Sequence, residues 1–143
     1  MQDRTPRPVM TPIMTAILLA AAMALAGAGA ATADPVEGLW RTEPGDTGGY
    51  VQVEIHPCGP AFCGTIRKAI SKDGRERTDY EHLGKLMLWD MQPRGAGAYG
   101  GGKIWAPDRN KTYSSKMQLN GDRLTVKGCV AVFCRAQTWT RLR

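Results

Sequence analysis

Residues 111–127 read Lys-Thr-Tyr-Ser-Ser-Lys-Met-Gln-Leu-Asn-Gly-Asp-Arg-Leu-Thr-Val-Lys. Tyr113, Ser115, Met117 and Leu119 alternate with Ser114, Lys116 and Gln118, and Leu124 and Val126 then alternate with Arg123, Thr125 and Lys127. A period of two is the mark of a strand that buries one face. Between the two runs stands Asn120-Gly121. Both residues tolerate positive φ, so the pair fits a two-residue type I′ hairpin turn. The same alternation appears in Val51, Val53 and Ile55 against Gln52, Glu54 and His56. Turn chemistry punctuates the rest: Pro44-Gly45-Asp46, Gly48-Gly49 and Pro107-Asp108-Arg109-Asn110 each separate apolar runs. Strands are therefore expected over 37–43, 49–57, 62–70, 85–91, 98–106, 111–119, 122–129 and 133–142. The one long irregular stretch is Ser71 to Gly84, with a single helical turn expected around Thr78–His82.

Strands joined in sequence by short turns make a meander, and eight of them can close into an up-and-down barrel without exposed edges. The expected fold is thus all-β, a small antiparallel barrel; a two-sheet sandwich is the rival. Gly38-Leu39-Trp40 favours the barrel. It resembles the Gly-x-Trp signature that opens lipocalin-like barrels, where the Trp plugs one end and a basic residue of the last strand covers it. Arg141 would be that residue here. Trp40 and Arg141 meet only if the first and last strands pair.

The N-terminus has a short basic start (Arg4, Arg7), an apolar stretch from Ile13 through Ala26, and small residues up to Ala31-Thr32-Ala33. That is the layout of a secretory signal peptide, with cleavage between Ala33 and Asp34. The expectation is a leader over 1–33, one β-rich domain over 34–143, and export to the periplasm. The leader holds Arg4, Arg7 and Asp3, so the chain's 19 Lys+Arg and 13 Asp+Glu fall to 17 and 12 after cleavage, a net charge of +5. A moderate positive charge suits anionic envelope surfaces but is too dispersed to imply nucleic acid. No membrane-spanning segment is expected once the leader is removed.

Four cysteines form two Cys-x₄-Cys units, Cys58-Gly-Pro-Ala-Phe-Cys63 and Cys129-Val-Ala-Val-Phe-Cys134. In an oxidising compartment an even count reads as a disulfide framework. Each unit joins neighbouring strands through four residues and brings its cysteines opposite one another, near the ~5.5–6 Å Cα separation a disulfide prefers. The expected bridges are Cys58–Cys63 and Cys129–Cys134. Zinc sites use four thiolates, or thiolates with added His, at spacings of two to four, but thiols in an oxidising compartment are not kept as thiolates. Redox pairs favour Cys-x-x-Cys at a helix start, a pattern this sequence lacks.

Catalytic motifs are scarce. There is no Gly-x-Ser-x-Gly, and bridged cysteines leave no Cys–His nucleophile. Gly100-Gly101-Gly102-Lys103 lacks the Ser/Thr and helix of a phosphate loop. The one acid–base or metal candidate is Asp79-Glu81-His82, which would need a further partner to fix its geometry; solvated loop residues are the plainer reading. The aromatics Trp40, Trp89, Trp105, Trp139, Tyr50, Tyr99 and Tyr113 either line an apolar pocket or fill the core. Trp89, Trp105 and Tyr113 are the residues expected to contact a ligand. The resulting reading is a non-catalytic barrel that binds a small apolar ligand or an anionic envelope component, with no metal and no cofactor. The alternatives are an enzyme working through Asp79, Glu81 or His82, and an interaction module with a filled core.

Several blocks fall in one order along the chain: Gly38-Leu39-Trp40, Phe62-Cys63-Gly64-Thr65-Ile66, Gly101-Gly102-Lys103-Ile104 with Pro107-Asp108, Leu124-Thr125-Val126-Lys127-Gly128-Cys129, and Gln137-Thr138-Trp139-Thr140-Arg141. In that order they resemble the exported bacterial family catalogued as DUF2147, a domain of unknown function. The chain departs from that family's pattern at Thr78–Gly84, where the family tends to have a longer acidic segment. The resemblance implies an exported β-rich domain and brings no established activity with it.

Overall fold

The computed structural model describes residues 29–143, of which Thr32–Arg143 form a compact unit of their own. The expected leader falls almost wholly outside the described residues. These form eight strands: β1 (Gly38–Arg41), β2 (Tyr50–Cys58), β3 (Ala61–Ile70), β4 (Leu86–Gly95), β5 (Ala98–Ala106), β6 (Lys111–Asn120), β7 (Arg123–Val130) and β8 (Phe133–Leu142). Each pairs antiparallel with the next, and β1 pairs with β8, so the sheet closes into a barrel.

Closure happens where the sequence expected it. Trp40 lies opposite Arg141 across β1 and β8, with the guanidinium carbon 4.3 Å from the indole centroid. Arg141 also donates to the carbonyls of Glu37 (2.9 Å) and Pro35, and its Nε lies 3.3 Å from the Asp122 carboxylate. Trp40 is fully buried and donates its Nε1–H to the Val36 carbonyl at 2.9 Å. The cation–π contact is worth roughly 0.5–2 kcal/mol. Gly38 is what lets Arg141 in: its φ is +128°, and a Cβ there would lie 3.1 Å from the Arg141 guanidinium.

The turns at 59–60, 96–97 and 121–122 lie at one end of the barrel, and those at 42–49, 71–85, 107–110 and 131–132 at the other. The first end is packed shut by Trp40, Trp139, Ile55, Phe62, Met91, Tyr99, Met117 and Leu124. The short turn Asp34–Glu37 ties the entering chain to this end: Glu37 N–H donates to the Asp34 carbonyl, and Tyr99 donates its phenol to the Asp34 carboxylate. Burial, with that hydrogen bond, pushes the Tyr99 phenol well above its usual range.

Three sequence expectations are corrected. The β6–β7 hairpin turns at Gly121-Asp122, one residue later than expected, because Asn120 pairs with Arg123. Only Gly121 has positive φ (61°), the Gly-first form of a two-residue turn rather than type I′. Alternation could not separate the two registers, since both keep Met117, Leu119, Leu124 and Val126 on one face. In the later turn Asp122 has no partner on β6, while on the β8 side its carbonyl accepts the Arg141 N–H and its carboxylate meets Arg141 and Arg143. β4 runs on to Gly95 rather than stopping at 91. It outlasts its last pair with β3, Phe62–Met91, so Pro93 sits where only β5 is paired, and a proline is tolerated at such an edge. The segment 71–85 contains turns but no helix: Tyr80, Leu83 and Lys85 donate to the carbonyls three residues earlier without building a continuous run.

Candidate ligand cavity

The inward-facing residues do not fill the barrel along its whole length. Above the floor made by Trp40, Trp139 and Leu124, the half nearest the long loops encloses a cavity of about 1110 Å³. Its walls come from alternate positions of the strands: Val51 on β2, Met87 on β4, Ile104 on β5, Tyr113 on β6 and Val126 on β7. These are apolar for the same reason the strands formed, since every second residue faces inward. Gly128 continues the β7 series. A Cβ on it would meet Ile104 at 3.4 Å and Tyr113 at 3.5 Å, so its missing side chain leaves space in the wall.

The last strand contributes polar chemistry. On β8, Trp139 is buried in the floor, and Gln137 and Arg135 follow at the same alternation toward the mouth. Gln137 accepts the Trp139 Nε1–H at 3.1 Å. Among the described residues Arg135 forms no ion pair. The rim is charged in both signs, with Arg109 4.0 Å from Asp46 and Arg77 3.5 Å from Asp79. Tyr80 reaches over the mouth from the 71–85 loop. Burial, and then the neighbouring Asp108 and Glu81, raise its phenol above the usual value against the opposing pull of Arg77.

The wall itself opens near the mouth. β1 is four residues long, and its pairing with β8 stops at Arg41–Thr140. Above that point the Glu43 carboxylate accepts the Thr138 N–H at 2.8 Å, so a side chain holds β8 where a strand would otherwise continue. From Phe133 to Gln137 the outer edge of β8 has no strand partner among the described residues.

The residues singled out from the sequence separate in space. Tyr113 and Trp105 line the cavity, Tyr113 within the wall and Trp105 at the rim. Trp105 donates to Asn110 Oδ1 at 3.1 Å and meets His82 edge-on, with centroids 4.9 Å apart. Trp89 is partly buried opposite Lys103 and is not among the lining residues. Trp40, Trp139 and Tyr99 belong to the packed floor. Asp79, Glu81 and His82 do not converge: Asp79 turns to Arg77, and Glu81 reaches His82 Nε2 at 3.4 Å while 81% exposed. His82 instead packs between Tyr80 and Trp105, with Lys85 Nζ 3.1 Å from its Nδ1. Among the described residues no group of three His, Cys, Asp or Glu is placed to hold a metal ion.

Sequence reasoning missed Arg135, Gln137 and Gly128. The signal was present, because the alternation running back from Trp139 passes through Gln137 and Arg135, and running on from Val126 it reaches Gly128. Reading it required the inward face of β7 and β8 to be carried past the point where the residues cease to be apolar.

Both expected disulfides are formed, Cys58–Cys63 with Cα atoms 5.5 Å apart and Cys129–Cys134 at 4.0 Å. The second pair is directly cross-strand, as expected. The first is diagonal, because Cys58 pairs with Ala61 and Cys63 with His56.

A family model described as an uncharacterized protein conserved in bacteria, DUF2147, matches residues 38–141. No curated protein matches the chain. Among solved structures, the protein HP1028 from the human pathogen Helicobacter pylori, described as belonging to the lipocalin family, is similar with a TM-score of 0.61 at 20% identity. The match covers 78% of this chain and 85% of that one. At that identity the likeness speaks for the fold.

Proposed function

The chain belongs to the bacterial DUF2147 family, and for this member we propose an exported, non-catalytic barrel that binds one small, mainly apolar ligand in the periplasm. The observation that carries the proposal is the cavity of about 1110 Å³ above a floor sealed by Trp40 and Trp139. Ligand pockets commonly run to ~300–1,000 Å³ with apolar walls and a few placed polar groups. Eight-stranded barrels of the lipocalin class hold one such ligand. Val51, Met87, Ile104, Tyr113 and Val126 supply the apolar wall, and Gln137 and Arg135 supply the polar groups near the mouth. Export rests on the leader over 1–33 and agrees with the two disulfides. The dispersed Asp79, Glu81 and His82 give the enzymatic reading no convergent group, and a core confined to one end does not favour a filled interaction module.

The test is occupancy of the cavity. Protein purified from the periplasm is measured by native mass spectrometry for a retained small molecule, and its binding of the fluorescent probe anilinonaphthalene sulfonate is titrated. Gly128→Val places a side chain against Ile104 and Tyr113 and is expected to weaken probe binding at least tenfold while circular dichroism stays unchanged. Equal probe binding by a folded Gly128→Val, or no binding by either form, overturns the proposal.

A further inference from the structure

The barrel carries its charge on one side. Strands β5 to β8 hold seven basic residues and no Asp or Glu, whereas β1 to β4 mix both signs, as in the pair Glu54–Arg67. On the outer face of the basic half, Lys116 lies directly opposite Lys127, and Lys103 lies opposite Ser114, which in turn pairs with Cys129. Like charges facing each other across a ladder are unfavourable. Among the described residues none of Lys103, Lys116 and Lys127 has a carboxylate partner. Such a cluster is relieved by an external anion.

An apolar tip adjoins these lysines. The β7–β8 turn leaves Val130 61%, Val132 86% and Phe133 80% exposed, the largest exposures of any bulky apolar residues in the described chain. The Cys129–Cys134 bridge closes the hairpin immediately behind them, so the tip is presented by a clamped loop rather than a free one. Lys127 is three residues from Val130, about 10 Å along a strand. A shallow groove of about 560 Å³ runs between the two features, lined by Lys103, Lys116, Ala131 and Val132 and floored by the side-chain-free Gly100–Gly102. The same hairpin flanks the cavity mouth, where Val130 and Phe133 line the rim and the β8 edge is unpaired.

We propose that the β7–β8 tip and the Lys103, Lys116 and Lys127 face form a docking surface for a lipid bilayer bearing anionic phosphodiester headgroups, with Val132 and Phe133 entering the interface. The charge complementarity selects this occupant. A second copy of the chain would bring the same lysines against themselves, and a neutral apolar partner would leave them unpaired. Docking of this kind sets the cavity mouth and the open β8 edge against the membrane, so an apolar ligand passes between bilayer and barrel without crossing water.

The test is co-flotation of the compact unit 32–143, disulfides intact, with vesicles of phosphatidylcholine alone or with 30% phosphatidylglycerol, at low and high salt. Binding is expected to the anionic vesicles only, and to fall as salt rises. Each Lys→Gln change at 103, 116 or 127 is expected to weaken it about fivefold, the worth of one basic residue at an anionic surface. Val132→Ser with Phe133→Ser is expected to weaken it at least tenfold. Lys103, Lys116, Val132 and Phe133 are exposed and Lys127 is half-buried with no carboxylate partner among the described residues, so folding is retained and circular dichroism checks it. Equal binding to neutral vesicles, no binding to anionic ones, or full binding by the Val132→Ser/Phe133→Ser variant overturns the proposal. So does a dimer in sedimentation that those substitutions convert to monomer. Gly128→Val is expected to float like the unmodified protein, so a failure here is distinguishable from a failure of the ligand proposal.

Discussion

The two Cys-x₄-Cys hairpins have the same spacing, the same two-residue turn and a Phe immediately before the second cysteine, yet they do opposite things. At the closed end, Phe62 is 8% exposed and meets Tyr99 edge-on, with centroids 5.9 Å apart. At the mouth, Phe133 is 80% exposed. Register alone does not explain this, because Phe62 and Phe133 both sit on the inward alternation of their strands. The difference is what lies inside. Phe62 points into an end of the barrel filled by Met91, Tyr99 and Ile55, while Phe133 stands above the cavity, at the rim, with no layer of side chains to cover it. One motif thus staples the core at one end and displays an apolar tip at the other.

The hardest test of that comparison is to truncate both phenylalanines. Phe62→Ala removes a buried aromatic and leaves a cavity, and should cost ~3–5 kcal/mol. Phe133→Ala should change stability by no more than about 0.5 kcal/mol. Urea unfolding of the two variants measures both, and similar losses would mean that the mouth hairpin is part of the core after all. A smaller effect is expected at the closure. Arg141→Ala removes the contact over Trp40 and two hydrogen bonds to the backbone carbonyls of Glu37 and Pro35, and should cost ~2–3 kcal/mol. A loss within the range of an ordinary surface change would show that β1 and β8 are held by their ladder alone.

The smallest effect sharpens the closed end by pH. The Tyr99 phenol ionises at 10.0 in the unfolded chain and well above that in the barrel, because burial and the Asp34 carboxylate oppose its charge. The folded state therefore keeps a proton that the unfolded state has lost. Stability is unaffected below the unfolded value and falls as pH rises past it. Tyr80, whose pKa is also raised, adds to the same slope. Tyr99→Phe should flatten the decline between about pH 10 and 11, measured as the unfolding midpoint against pH; an unchanged slope would remove Tyr99 from the account.

Much of this molecule was legible in advance. The alternation in 111–127, in Val51–Ile55 and in Leu124–Val126 located strands because burial on one face writes a two-residue period directly into the chain. Gly-x-Trp and Arg141 anticipated the closure, and the cysteine spacing anticipated both bridges. The candidate site was read less completely. Tyr113 and Trp105 were found as aromatics, but an aromatic looks the same in a floor, a rim or an outer wall, so Trp89 could not be told from them. Arg135 and Gln137 were passed over because charged and amide side chains on a strand read as solvent-facing until the strand is known to border a cavity.

By itself, the sequence determined the elements that depend on neighbours along the chain: eight strands, their order as a meander, and the pairing of cysteines five residues apart. Tertiary structure alone decided what depends on residues far apart. It chose Gly121-Asp122 over Asn120-Gly121, a choice the local pattern leaves open because both registers keep Met117, Leu119, Leu124 and Val126 on one face. It also decided that one end is packed and the other open, since whether Phe62 or Phe133 is covered depends on side chains from the other strands meeting across the barrel, and no local pattern records their total volume against the space they enclose.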